Sequence, residues 1–401
     1  MRITTFISTV PGGSLRTFKE YVRLLSRDND IDIYTLNDSY LYDIKEYVDN
    51  IYSFKFEYLF FKRPFGFLNI FLNFLNLFRL DRLYHRIANL INRENYDIAF
   101  IHQSYYLYIH CPGIVRFLKI PCVYYCQEPV RLFYERDLIF LKKMSAKEKF
   151  FYIFLKPFYM LFAIFFKLYD AFNIKRCNFL LCNSYYSKNY ILNAYHKEAE
   201  VCYLGVDTNK FKPLTDVKKE NLVISVGHLE PRKGHDFVIK AIGKIPFNLR
   251  PKIIIVYPCY EDIEYKNHLK IIAEKNNVCL EFFCGISDEE LMVLYNKAKL
   301  TVCAFVREAF GLIPLESLAC GTPVLAVNEA GLKESIIHNK TGLLVERDIE
   351  KFSEALCYLL KEDKLREEMG EYGRQYVLEK WSWESSVDEL KKYFLKCLNK
   401  K

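Results

Sequence analysis

Glu308 to Glu316 reads EAFGLIPLE, two carboxylates eight residues apart across a glycine turn. An apolar, strand-like run, Leu300 to Val306, precedes it, and an apolar, helix-like run, Leu315 to Ala319, follows. Pro314 suits the first turn of a helix, where its missing N–H costs nothing. The first carboxylate is therefore expected on a loop at a strand's end and the second about one turn inside a helix. Between them, Phe310, Gly311 and Leu312 can turn backbone N–H groups out of the helix N-terminus, where anions bind. One acid beside such an anion and a second roughly 6 Å further along suits a polyhydroxylated phosphoester, such as a nucleotide sugar, better than a simple phosphate. Taken without its flanks, the same spacing arises often and reads sooner as a surface acid and an exposed helix position.

The flanks extend the pattern. Cys320-Gly321-Thr322-Pro323 ends the helix, with Gly321 suited to a left-handed cap and Pro323 barring continuation. Val324 to Val327 is a short apolar strand, Gly331 and Glu334 open a further polar turn, and Thr341-Gly342 leads into a strand at Leu343 to Val345. Strand, loop, helix, strand in this order makes a right-handed crossover unit, which binds ligands at the carboxyl ends of its strands. Upstream, Ile3 to Ser8, Ile31 to Leu36, Ile98 to His102, Cys122 to Cys126 and Phe179 to Cys182 form one strand series. Leu222 to Val226, Ile253 to Tyr257, Leu280 to Phe283 and Thr301 to Phe305 begin a second. Such series predict an α/β protein of two doubly wound, Rossmann-like domains facing across a cleft. Residues 1–205 and 206–375 are the expected domains, with Gly205 to Asn221 as linker. A helical tail, 376–401, with Trp381 and Trp383, is expected to pack back towards the first domain.

Composition bounds the function. A chain of 401 residues is too long for one ordinary core and predicts two of about 200 residues. Being 51% hydrophobic and 26% charged excludes disorder. The 13 cysteines show neither C-x-x-C nor a Cys/His cluster at zinc spacing, which predicts a reducing cytoplasm and no metal site. MRITTFISTVPGG starts as a strand and lacks the apolar core of a signal peptide. Net charge is +8, and the basic residues interleave with apolar runs rather than forming a polar stripe, which argues against nucleic-acid binding.

The aromatic residues concentrate in Tyr58 to Arg82 and in Leu138 to Arg176. Phe150 to Phe166 is long enough for a buried helix, but Lys156 and Pro157 interrupt it short of a clean span of about 20 residues. With Lys142, Lys143, Lys147, Lys149, Lys167, Lys175 and Arg176 around it, this stretch reads as an element lying on an anionic membrane surface; the alternative is an aromatic-rich core.

Two more constellations sit at strand-to-helix turns. Pro11-Gly12-Gly13-Ser14 joins the first strand to a helix from about Leu15, and its glycines either let backbone approach a ligand or make a plain turn. GHLEPRKG, Gly227 to Gly234, places His228, Arg232 and Lys233 beside a helix start. That suits a diphosphate, or else is a solvated basic loop. No serine or threonine follows the lysine, so it is not a G-x-x-x-x-G-K-[ST] phosphate loop.

Together GVDTNKF, GHLEPRKG, SDEELMVLYNKAK and EAFGLIPLESLACGTPVLA resemble, over nearly the whole chain and best from Gly205 to Glu346, the family 4 retaining glycosyltransferases of GT-B fold. The resemblance maps the family's E-x7-E signature onto Glu308, implied to contact the donor sugar, and Glu316, implied to hold the ribose. Lys233 with Arg232 would bind the donor diphosphate, and Gly12 and Gly13 would approach the same phosphates. His228 stands after Gly227 where the family commonly has arginine, and Gln127, followed by Glu128, stands where it often has an acceptor-side histidine; His102 lies near that side. The implied reaction is retaining and metal-independent, with no cofactor besides the nucleotide-diphosphate sugar as co-substrate. The implied acceptor is a glycan or polyprenyl-linked sugar of the cell envelope, met at the inner face of the plasma membrane. A non-catalytic membrane-bound relative and a GT-B phosphorylase stay open as alternatives. A Rossmann oxidoreductase is not supported, since Gly12-Gly13 lacks G-x-G-x-x-G.

Overall fold

The computed structural model describes residues 1–8, 12–60, 69–104, 109–134, 146–258 and 262–399. Pro11, Lys142 and Lys143 lie outside these residues, as do the side chains of Lys147, Lys149 and Lys156. The chain divides into two compact units. Unit 1 holds Met1–Asn183, Ser187–Cys202 and Val387–Lys401, and unit 2 holds Ser184–Tyr186 and Tyr203–Ser386.

Unit 1 is built on seven parallel strands: β1 (Arg2–Ile7), β2 (Asp30–Thr35), β3 (Asn50–Ser53), β4 (Ile98–His102), β5 (Cys122–Tyr125), β6 (Phe179–Cys182) and β7 (Glu200–Val201). They lie in the order β3-β2-β1-β4-β5-β6-β7. The helices are α1 (Gly13–Leu25), α2 (Asn69–Ile91), the single turn α3 (Arg131–Tyr134), α4 (Ala146–Lys175) and α5 (Tyr185–Tyr195). Apart from Arg2 at the start of β1, the central strands are buried along their length, which is why they read as mostly apolar runs rather than as alternation. On α1 the spacing of Leu15, Phe18, Val22 and Leu25 turns one apolar face to the sheet, and all four are buried. β3 and β7 escape the apolar pattern because β3 is mostly exposed and β7 is two residues long. α4 runs through Pro157 without ending. Among the described residues no helix is long and apolar enough to cross a membrane.

Unit 2 repeats the plan with β8 (Glu220–Val226), β9 (Lys252–Tyr257), β10 (Leu280–Cys284), β11 (Ala298–Cys303), β12 (Val324–Val327) and β13 (Gly342–Val345), ordered β10-β9-β8-β11-β12-β13. Its helices are α6 (His235–Lys244), α7 (Ile263–Lys275), α8 (Asp288–Lys297), α9 (Leu312–Ala319), α10 (Leu332–Ser335), α11 (Ile349–Lys361), α12 (Asp363–Lys380) and α13 (Trp383–Leu398); from Val387 onward α13 belongs to unit 1. Ser287 and Glu290 close a reciprocal capping box on α8, the sequence signature SDEE realised. The stretch Gly205 to Asn221, expected as a linker, is packed into unit 2: Phe211 is fully buried and Val206 N–H donates to Trp381 O at 2.8 Å.

Each sheet reverses its strand order once, at β1/β4 and at β8/β11. Just outside the carboxyl ends of strands at such a switch point is where ligands bind in doubly wound sheets. The loops leaving β1, β8 and β11 are those carrying Gly12 and Gly13, Gly227 to Gly234, and Glu308 to Gly311.

Candidate functional site

The loops after β8 and β11 are laced together by backbone. Val306 N–H donates to Arg232 O at 2.8 Å. Arg347 braces the end of β11 from below, donating to Ala304 O at 3.0 Å and Phe305 O at 2.7 Å while its other N–H groups hold Glu329. Pro231 to Lys233 is one 3-10 turn, closed by Gly234 at φ 66 before α6 begins. A Cβ on Gly234 would stand 2.1 Å from Ala304 O, so only glycine lets the two loops come this close.

That approach brings Lys233 to Glu308. Nζ lies 2.8 Å from the carboxylate and 4.7 Å above the Phe305 ring, and both side chains of the pair are mostly shielded from solvent. The stem of Lys233 runs across Gly227, where a Cβ would meet its Cγ and Cδ at 3.1 Å. Arg232, by contrast, turns to Glu230 of its own loop, 2.8 Å away. His228 is half-buried, and burial, added to by Lys233 and Arg232 and opposed by Glu230, lowers its pKa below the ordinary histidine value. At neutral pH it is a hydrogen-bonding group rather than a third cation.

Glu308 sits on the loop and Glu316 five residues into α9, whose N-cap is Gly311. Phe310 and Glu316 are buried, and Leu312 is half-buried. Gly311 has no side chain to cap the helix, and a Cβ there would meet Ser335 Oγ at 2.6 Å. Tyr295 of α8 donates its hydroxyl to Glu316 at 3.1 Å. Burial and the adjacent carboxylate push that hydroxyl well above its ordinary pKa, so it remains a donor. Gly331 N–H fixes the Glu308 carbonyl at 2.9 Å. Among the described residues no three His, Cys, Asp or Glu side chains converge as a metal ion would need.

In unit 1, Cβ atoms built on Gly12 and Gly13 would meet nothing within 4 Å among the described residues; packing does not demand these glycines. After β5, Gln127 and Glu128 both donate backbone N–H to Gln103 Oε1, at 2.7 and 3.1 Å, and the Glu128 carboxylate takes Arg131 Nε at 2.7 Å. His102 is sealed in the core, edge-on to Phe18 and Phe100 and stacked on Tyr125 at 5.7 Å. Burial drops its pKa to about 3, so it is neutral, and neither ring nitrogen has a hydrogen-bond partner among the described residues.

Several supporting residues carry no motif of their own. Gln103 holds the Gln127–Glu128 turn, and Tyr295 holds Glu316. His235 donates from Nε2 to the His228 carbonyl at 3.2 Å while Ser225 Oγ meets its Nδ1 at 2.9 Å. Glu334 accepts from Tyr185 N, Tyr186 N and the Tyr203 hydroxyl, each at 2.9 Å. Only Tyr295, inside the motif SDEELMVLYNKAK, and the polar turn around Glu334 gave a signal in the sequence.

The chain matches the family described as Glycosyl transferases group 1 over residues 206–376 and that described as Glycosyltransferase Family 4 over residues 11–210. It is 29% identical over 212 residues to the D-inositol 3-phosphate glycosyltransferase of Corynebacterium jeikeium, covering 47% of this chain and 50% of that protein. It is 27% identical over 230 residues to the GDP-mannose-dependent alpha-(1-6)-phosphatidylinositol monomannoside mannosyltransferase of Mycobacterium tuberculosis, covering 52% and 59%. The matches thus span about half the length of these curated relatives. Among solved structures it is similar in fold to Anabaena Alr3699/HepE in complex with UDP and glucose, with TM-score 0.71 at 15% identity over 99% of this chain and 100% of that one. With both family patterns laid end to end over two sheets of doubly wound order, the chain belongs to the group 1, family 4 glycosyltransferases of GT-B fold.

Proposed function

We propose that this glycosyltransferase moves a sugar, with retention, from a nucleotide-diphosphate sugar to a lipid-linked or glycan acceptor of the cell envelope, at the inner face of the membrane. The observation that carries the reading is the Lys233–Glu308 pair at the switch point of unit 2, with Glu316 buried one turn along α9. Breaking the bond between the anomeric carbon and the diphosphate builds positive charge on the sugar and negative charge on the leaving group. Lys233 and the amide groups opening α9 stabilise the latter as fixed charges and dipoles, usually the largest catalytic contribution. They do the work that a metal ion does in other transferases. Arg232 adds charge once released from Glu230. Glu308 orients the sugar hydroxyls, and Glu316, held by Tyr295, takes the ribose. The acceptor oxygen bonds to the anomeric carbon on the leaving group's face, and its proton passes to a diphosphate oxygen.

Gln127 and Glu128 carry the acceptor side of this proposal, and His102 contributes only packing beneath them, through β5. Gly12 and Gly13 keep their role as backbone that a phosphate approaches closely. A relative whose name carries GDP-mannose and a phosphatidylinositol acceptor, and a fold neighbour holding UDP and glucose, support the substrate classes.

The test is thermal shift of the purified protein against UDP-, GDP-, ADP- and TDP-sugars, since a ligand of the native state raises Tm by mass action. Stabilisation by one of them, lost in Lys233→Ala, is the expected result. A folded sample that answers to none overturns the reading in favour of a non-catalytic relative. Release of a sugar phosphate on adding orthophosphate would mark a phosphorylase.

A further inference from the structure

Unit 1 carries an exposed apolar face that its core does not use. On α2, Phe71, Leu75 and Phe78 recur at helical spacing and are 47%, 48% and 61% exposed. On α4, Leu161, Ile164 and Leu168 do the same at 63%, 52% and 64%. The two faces are one patch: Phe71 meets Phe158 with ring centroids 5.9 Å apart, and Phe74 meets Phe165 at 5.1 Å. Contacts further along, from Tyr169 hydroxyl to Asp81 at 2.6 Å, keep the same register, so the helices run side by side in one direction. An exposed apolar surface spread over two packed helices marks an interaction site rather than scattered surface residues.

Charge along the pair then selects the occupant. Beyond the apolar stretch both helices turn cationic at the same end, with Arg82 and Arg86 exposed on α2 and Lys175 and Arg176 exposed at the end of α4. The carboxylates on the described parts of these helices point elsewhere: Asp81 is taken by Arg116 and Tyr169, and Asp170 is fully buried, accepting from Tyr195 at 2.6 Å. A second copy of this chain would bring a like cationic border, with no exposed carboxylate among the described side chains of these helices to meet it. A layer of anionic lipid headgroups over an apolar interior matches both parts.

We infer that the joined faces of α2 and α4 are the surface by which the chain lies on an anionic bilayer, with Phe78, Leu161, Ile164 and Leu168 in the acyl boundary and Arg82, Arg86, Lys175 and Arg176 at the headgroups. An amphipathic face of this kind buries about 5–10 Å into the interface, and its hold falls as salt screens the cations. The inference rests on the lipid-linked-acceptor reading for its purpose, but not for its measurement.

The experiment is flotation of the full chain with vesicles of about one-third phosphatidylglycerol in phosphatidylcholine, and with phosphatidylcholine alone. Binding to the anionic vesicles is expected. It should weaken at least about tenfold in the combined Leu161→Gln, Ile164→Gln, Leu168→Gln variant, and similarly in Arg82→Gln, Arg86→Gln, Lys175→Gln, Arg176→Gln or at high salt. All these side chains are exposed or rim positions, and an unchanged melting temperature verifies folding. Absent binding, binding indifferent to both variants, or an apolar-face variant that instead dissolves a dimer each overturns the inference. Donor thermal shift, read on the same samples, reports the transferase reading separately: its loss with vesicle binding intact would sink that reading and leave this surface standing.

Discussion

Lys233 and Glu308 hold one another at 2.8 Å, so each has its charge kept in place by the other. A cation poised in a shielded site needs little reorganisation when a diphosphate arrives, which is what makes fixed charge effective in catalysis. Glu308→Gln keeps the shape and removes the charge. Turnover is expected to fall by about 10²-fold or more with donor binding largely retained; near-normal turnover would refute the role given to Glu308. Histidines make a second expectation at this scale. His102 and His235 are fully buried and held neutral, with pKa values of about 3 and about 4. The unfolded chain takes up protons at both as pH drops below about 6.5, while the folded chain resists. Stability is therefore complete above that pH and declines as pH falls towards the folded values, by up to about 1.4 kcal/mol per pH unit for each group. Urea midpoints measured at intervals from about pH 7.5 to pH 5 should show this slope, and His235→Asn should remove its own share and leave that of His102; a flat wild-type profile would contradict the burial of both rings.

At the scale of elements, the site depends on how closely a 3-10 turn lies against the end of β11. Gly234 is the point of contact, with a left-handed φ of 66 and Ala304 O where a Cβ would go. Gly234→Ala is expected to cost at least about 2 kcal/mol in chemical denaturation, or to push the turn away and abolish the donor shift in Tm. An alanine variant with unaltered stability and donor response would show the two loops to be looser than this packing implies. Element identity was largely legible from local pattern. The central strands of both sheets are apolar runs ended by Gly, Pro or polar turns, and α9 begins with its proline in the first turn. β3 and β7 were not legible, because an exposed edge strand and a two-residue strand bury too little to leave a pattern. β11 starts at Ala298, ahead of the apolar run, since Ala298 and Leu300 pair with Glu220 and Val223 of β8 across an irregular register. Pro157 did not end α4, so a breaker read locally was overruled by the packing of the rest of that helix.

Across the whole molecule, two sheets that share one winding pattern, the first with a seventh strand added at its edge, each carry their own core, so unfolding as a single two-state event is not expected. Chain order and unit membership also differ at the C-terminus. From Val387 on, α13 contributes Leu390, Phe394 and Cys397 to the core of unit 1, where Phe394 meets Phe100 at 5.2 Å. Ending the chain after Ser386 uncovers that face. Burying a large apolar side chain is worth about 1.5–3 kcal/mol, so the loss should exceed about 3 kcal/mol and appear as a lower melting transition or insoluble protein. An unchanged melting profile would mean this helix end contributes no core.

Periodicity, turn residues and the Glu308 to Glu316 spacing act over a few residues, and short-range sterics and burial suffice to turn them into strands and helices. That is why the α/β class and the two carboxylates at a strand-to-helix turn could be read from residues alone. The partners could not. Lys233 lies 75 residues from the carboxylate it meets, Tyr295 21 from Glu316, Glu334 149 from the Tyr185 amide it accepts from, and Gln103 24 from the turn it holds. These pairings, the sealing of His102 among rings, and the merging of two aromatic stretches into one exposed face exist only after the sheets form. A hydrogen bond or apolar contact is decided by which groups desolvate together, and packing alone settles that.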